Sequence, residues 1–81
     1  MTEIDARGLL CPLPVLRLRK VLMALPVGSR VALIATDRMA AVDVPHFCAE
    51  GGHELVSVTE LDGATRYEVM RGEAFACRAE A

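Results

Sequence analysis

The hydrophobic pattern along the chain changes period several times, and each change marks an element. Residues 2–6, TEIDA, alternate, with Ile4 and Ala6 on one side, which predicts a short strand. Arg7-Gly8 breaks it. Val15, Leu18, Leu22 and Leu25 then recur at i, i+3, i+7 and i+10, with Val21 flanking. That is one side of a 3.6-residue period, and Pro26 and Gly28 end the helix it predicts. Residues 30–36, RVALIAT, are a β-branched apolar run suited to the centre of a sheet. A second helix is expected between Asp37 and Gly51, and two starts are compatible with it. Asp37 can cap it with a bend at Pro45, or Asp43 can cap a shorter helix with Pro45 in its first turn. Val44, Phe47 and Cys48 supply its apolar side, and Gly51-Gly52 stops it. HELVSVTEL and ATRYEVMR both alternate and are joined by Asp62-Gly63, a strong hairpin signal.

The predicted order is therefore β-α-β-α-β-β. Each helix has one apolar side and must bury it. The expected fold is α/β in the α+β sense: a two-layer sandwich with two helices on one face of a four-stranded mixed sheet. Residues 1–72 form one domain in this reading. Residues 73–81 have no clear period and are expected to be a tail free to fray.

Composition sharpens the picture. Of 81 residues 53% are hydrophobic, but there is no Trp, one Tyr and two Phe, so the core must be aliphatic. The formal net charge of -2 argues against a protein living on phosphate contacts, so no direct nucleic-acid binding is expected. MTEIDARG carries charges rather than an apolar signal run, and VALIA at 31–35 is too short to span a bilayer. A cytoplasmic location and no membrane contact are expected. Cys11, Cys48 and Cys77 are an odd set without close pairing, which fits free thiols in a reducing compartment.

One position breaks the local rules. In the stretch GLLCPLPVLRLRKVL, Cys11 falls where the first helix should be capped, Pro12 at its first position and Pro14 at its third. Ser, Thr, Asp and Asn are the good caps; cysteine is not. A helix start favours negative charge, and such sites can lower a thiol pKa from about 8.5 into the range ~3.5–7.5. An accessible, ionised Cys11 is the expectation. Pro14 occupies the place where a C-x-x-C pair would need its second cysteine, and nothing in the sequence sets His46 or His53 beside Cys11 as a base. What remains is a lone sulfur that accepts and donates something small. Persulfide transfer fits and requires no cofactor or metal.

The stretch DARGLLCPLPVLRLRKVL resembles the signature of the TusA (SirA-like) sulfurtransferase family, D-x-x-G-x-x-C-P-x-P followed by a helix. PVGSRVALIATD, DVPHFCAEGGHEL and the final hairpin are similar to the same family's layout, so the resemblance spans residues 3 to 71. It implies a two-layer βαβαββ sandwich that carries sulfur as a persulfide on Cys11, with Asp5, Arg7, Gly8, Pro12 and Pro14 as supporting motif residues. It also implies a protein sulfur donor, of cysteine desulfurase or rhodanese-like type, and a protein acceptor. In the family such relays serve tRNA uridine thiolation, molybdenum cofactor assembly or dissimilatory sulfur oxidation. Leu13 stands where the best-known members have Glu, and Arg38 where they often have Pro.

Asp5 and Arg7 are read first as turn residues, with Arg7 a candidate cation for an anionic persulfide. Cys48 reads as a core thiol. His46, Cys48 and His53 make a poor metal set, because residues i and i+2 point to different helix faces. At ~100° per residue, Leu16, Lys20 and Met23 fall opposite the core stripe of the first helix. With Leu13, Arg17 and Arg19 they form a candidate docking patch for an acidic partner. A monomer is expected, since a carrier must show its thiol to two partners in turn. The alternatives are a non-catalytic regulatory or protein-interaction module on the same fold, and a thiol redox enzyme.

Overall fold

The computed structural model describes residues 1–72. Its elements are β1 (Thr2–Ala6), α1 (Leu13–Met23), β2 (Arg30–Ala35), α2 (Ala40–Gly51), β3 (Glu54–Leu61) and β4 (Ala64–Met70). The four strands form one sheet in the order β1-β2-β4-β3, with β1 parallel to β2 and β4 antiparallel to both its neighbours. β1, β2 and β3 therefore all run the same way, and β4 returns between β2 and β3. The expected mixed four-stranded α+β sandwich is the observed fold.

Register explains the core. Ile4 pairs with Leu33, Ala6 with Ala35, Leu33 with Tyr67, and Val31 with Val69. All seven side chains share one sheet face and are buried. Leu18 and Leu22 from α1, and Ala40, Val44 and Cys48 from α2, close onto that face. Val15, Val21 and Leu25 pack at its margin. The opposite sheet face carries more charge; there Glu68, beside Ala32, accepts from Arg30 at 3.1 Å and lies 3.6 Å from Arg66.

The helix boundaries differ from expectation. α1 begins one residue late: its N-cap is Pro12, not Cys11, and Pro14 is in its second position. The Leu13 N–H turns back onto the Leu10 carbonyl, which winds Leu10–Leu13 into a separate turn. α1 stops at Met23, before Pro26, as i→i+3 bonds from Ala24 and Leu25 tighten its end. Leu25 still reaches the core from beyond the helix. For α2 neither Asp37 nor Asp43 is the cap; Met39 is. The Asp37 carboxylate accepts the Met39 N–H at 3.2 Å, and residues 37–42 wind in with i→i+3 backbone bonds. Pro45 sits in the second turn of α2, where it removes one ladder bond. Gly52 ends the helix at φ 75, with its own N–H and that of His53 both on the Cys48 carbonyl.

His53 is buried at 8% exposure beneath Phe47, with ring centroids 5.2 Å apart. Its Nδ1 accepts the Gly72 N–H at 2.9 Å. Gly72 is packed so closely that a Cβ there would run into the Gly52 carbonyl. Among the described residues no helix is long and apolar enough to cross a membrane.

Candidate functional site

Because β1 and β2 are parallel neighbours, the loops that follow them emerge side by side at one end of the sheet. Cys11 lies on the first loop; Thr36 and Asp37 lie on the second. The turn after β1 is built from Asp5 outward. Its carboxylate accepts the Arg7 backbone N–H at 3.1 Å and grips the Arg7 guanidinium through two bonds of 2.9 and 3.0 Å. That pairing lowers the Asp5 pKa to about 2. The Arg7 guanidinium is thereby engaged with Asp5. Gly8 follows at φ 83, a left-handed conformation that glycine adopts without strain, and its N–H donates to Thr36 Oγ1 at 2.9 Å.

Cys11 itself is held by two carboxylates. Its backbone N–H donates to Asp37 Oδ2 at 2.5 Å, and its thiol donates to Asp43 Oδ2 at 2.7 Å. The residue is exposed, and the Cys11–Pro12 peptide bond is cis. Cys11, Pro12 and Val15 on one side, and Asp43, His46, Phe47 and Glu50 on the other, line a groove of about 210 Å³ between the start of α1 and one side of α2. His46 Nε2 lies 3.4 Å from Glu50 Oε1 at its rim.

This geometry overturns one expectation. The Cys11 thiol pKa is raised, not lowered, first by the hydrogen bond to Asp43, then by desolvation and the charges of Asp43 and Asp37. Cys11 lies one residue outside the N-cap of α1, and a thiolate there would face a carboxylate at contact distance. The carboxylate outweighs the helix end. The sulfur is accessible, as expected, but rests as a thiol.

The other sequence-predicted residues fall in two groups. Pro12 lines the groove, while Pro14 is buried in the first turn of α1 and serves packing. Leu13, Leu16 and Met23 are each about half exposed on the outer side of α1, beside exposed Arg17, Arg19 and Lys20. Arg17 and Lys20 line a separate cleft of about 460 Å³ with Ile4 and Val21. Cys48 is buried at 3% exposure, and burial pushes its pKa up to about 11. Cys77 lies outside the described residues. Sequence reasoning missed Thr36, Asp37 and Asp43 as builders of the site. In sequence both aspartates have the spacing of helix caps, and the parallel pairing of β1 with β2 brings them to the cysteine.

Fold and site together define a class: a small α+β domain that offers an exposed thiol from a Gly-x-x-Cys-Pro-x-Pro loop at the parallel ends of its sheet. The chain belongs to the TusA family; the family model described as sulfurtransferase TusA matches residues 2–71. It is 41% identical over 69 residues to the sulfur carrier protein TusA of Pseudomonas syringae, covering 85% of this chain and 82% of that one. It is 35% identical over 71 residues to a putative sulfur carrier protein of Archaeoglobus fulgidus, covering 88% and 97%. The crystal structure of a SirA-like protein from Desulfitobacterium hafniense superposes with a TM-score of 0.80 at 28% identity, covering 90% of this chain and all of that one.

Proposed function

We propose that this protein is a sulfur carrier: Cys11 accepts sulfane sulfur as a persulfide from a donor protein and passes it to an acceptor protein. The observation that carries the reading is the exposed Cys11 thiol, in a groove open to a partner, while Cys48 is sealed in the core. Relatives named sulfur carrier proteins support it. The protein acts as a sulfurtransferase by relay, with the two exchange reactions completed on its partners and no cofactor taking part. Asp5, Gly8, Pro12 and Pro14 shape the loop that presents the sulfur. Leu13, Leu16 and Met23, with Arg17, Arg19 and Lys20, are the surface on which donor and acceptor dock in turn; apolar side chains give contact area and the basic ones steer an acidic partner. The protein works as a monomer in the cytoplasm.

The test is intact-mass spectrometry after incubation with glutathione persulfide. Wild-type protein gains the mass of one sulfur atom, and the Cys11→Ser variant gains none. Equal loading of both proteins, or loading of neither, contradicts the reading. Loss of two hydrogens instead, as an intramolecular disulfide forms, favours thiol redox chemistry.

A further inference from the structure

We propose that Asp43 sets the sulfur-transfer equilibrium of the carrier: its carboxylate holds the empty Cys11 thiol by a hydrogen bond that Sγ can no longer donate once it carries sulfur, and so biases the protein toward handing its cargo on. This rests on the carrier reading.

The geometry is specific to one carboxylate. Among the described residues, the ionisable groups facing Cys11 are Asp37 from the β2–α2 loop and Asp43, His46 and Glu50 from α2, while α1 lines the groove with Val15, below Pro12. Asp37 spends Oδ2 on the Cys11 N–H and Oδ1 on the Met39 N–H. Glu50 and His46 face each other. Among the described residues, Asp43 is the one that hydrogen-bonds the sulfur, at 2.7 Å, as the acceptor of the thiol hydrogen.

The exchange is R–S–SH + Cys11–SγH ⇌ R–SH + Cys11–Sγ–SH. The bond from Sγ to the sulfane sulfur forms as the bond from R–S to that sulfur breaks. The electron pair of the broken bond leaves with R–S, which takes the proton lost by Sγ, and no net oxidation occurs. On the left Sγ donates a hydrogen bond to Asp43. On the right Sγ carries sulfur in place of hydrogen and has nothing to donate; the remaining hydrogen sits on the outer sulfur, one bond beyond the atom that Asp43 contacts, and is lost when the persulfide ionises. A persulfide that ionises adds a negative charge close to the same carboxylate. Both effects favour the empty state. A carrier needs that bias, since one that bound sulfur too well would not release it. The same hydrogen bond keeps the empty protein in the less nucleophilic thiol form.

The experiment equilibrates wild-type, Asp43→Asn and Asp43→Ser proteins with fixed ratios of glutathione persulfide to glutathione at neutral pH, and reads the loaded-to-empty ratio by intact mass. Iodoacetamide alkylation rates of the empty proteins are measured across pH. The ratio is expected to rise severalfold in both variants, and the alkylation profile to move to lower pH. A ratio equal to or below wild type in the variants, with wild type loading normally, overturns the role of Asp43 alone. Absence of loading in wild type overturns the carrier reading beneath it. Should the amide variant not fold, the serine variant gives the same comparison.

Discussion

The backbone N–H of Cys11 donates to the carboxylate of Asp37, 2.5 Å away and 26 positions along the chain. The other oxygen of Asp37 accepts the Met39 N–H. One side chain therefore ties the cysteine loop to the entrance of α2, and this bond, together with the one from Gly8 to Thr36, holds Cys11 within reach of Asp43.

Asp37→Ala removes both acceptors, whereas Asp37→Asn keeps an acceptor oxygen and loses the charge. The alanine variant is expected to lower Tm by several degrees and the asparagine variant by less, because an unmet N–H costs more than a weakened one. Thermal unfolding followed by circular dichroism checks the order. Equal losses in the two variants would show that charge, not acceptance, is what Asp37 supplies.

The two described cysteines should differ sharply in reactivity. Cys11 is exposed, while Cys48 is buried and pushed up to about 11. Iodoacetamide at mildly alkaline pH is expected to modify Cys11 in the native protein and Cys48 only in denaturant, as read by peptide mass spectrometry. The alkylation of Cys11 should have its pH midpoint above the ordinary thiol value, because Asp43 favours the protonated form.

α1 has a packing face and, in the proposed function, a docking face. Leu18 is fully buried, so Leu18→Ala should cost about 2–5 kcal/mol in chemical denaturation. Leu16 is 50% exposed, so Leu16→Glu should leave Tm unchanged and slow sulfur exchange with a protein donor. A variant with wild-type stability and wild-type exchange removes Leu16 from the docking surface.

Much of this was legible in the chain. Alternation in TEIDA, the Leu18–Leu22 stripe and Asp62-Gly63 each carry their element's period locally, so the element order and the sandwich follow from them. Cys11 stood out because cysteine is a poor residue for a helix start. Its protonation state was not legible, since it depends on Asp43, 32 positions away. Local reasoning weighed only the helix end, and the contacting carboxylate is stronger. The helix starts shifted for a related reason. The Cys11 N–H is taken by Asp37, and Pro12, not Cys11, closes the first turn of α1 through the Leu16 N–H.

Stability should fall in mild acid through His53. Burial, then the Arg71 charge, push its pKa below the ordinary 6.5. Below that value the unfolded chain takes up the proton before the folded protein does. The contribution of neutral His53 is thus complete above the unfolded pKa and is lost as pH falls toward the folded one. Tm is expected to drop as pH falls below the ordinary histidine value of about 6.5, and to drop less in His53→Gln. Equal drops in the two proteins would assign the acid sensitivity to other groups.

The most direct test of the account is to locate the sulfur. Wild-type protein is loaded from glutathione persulfide, freed of donor, trapped with iodoacetamide and digested, and its cysteine peptides are weighed. One added sulfur is expected on the peptide containing Cys11 and none on those containing Cys48 or Cys77. Sulfur on either of the latter, with Cys11 carrying only the alkyl group, contradicts it.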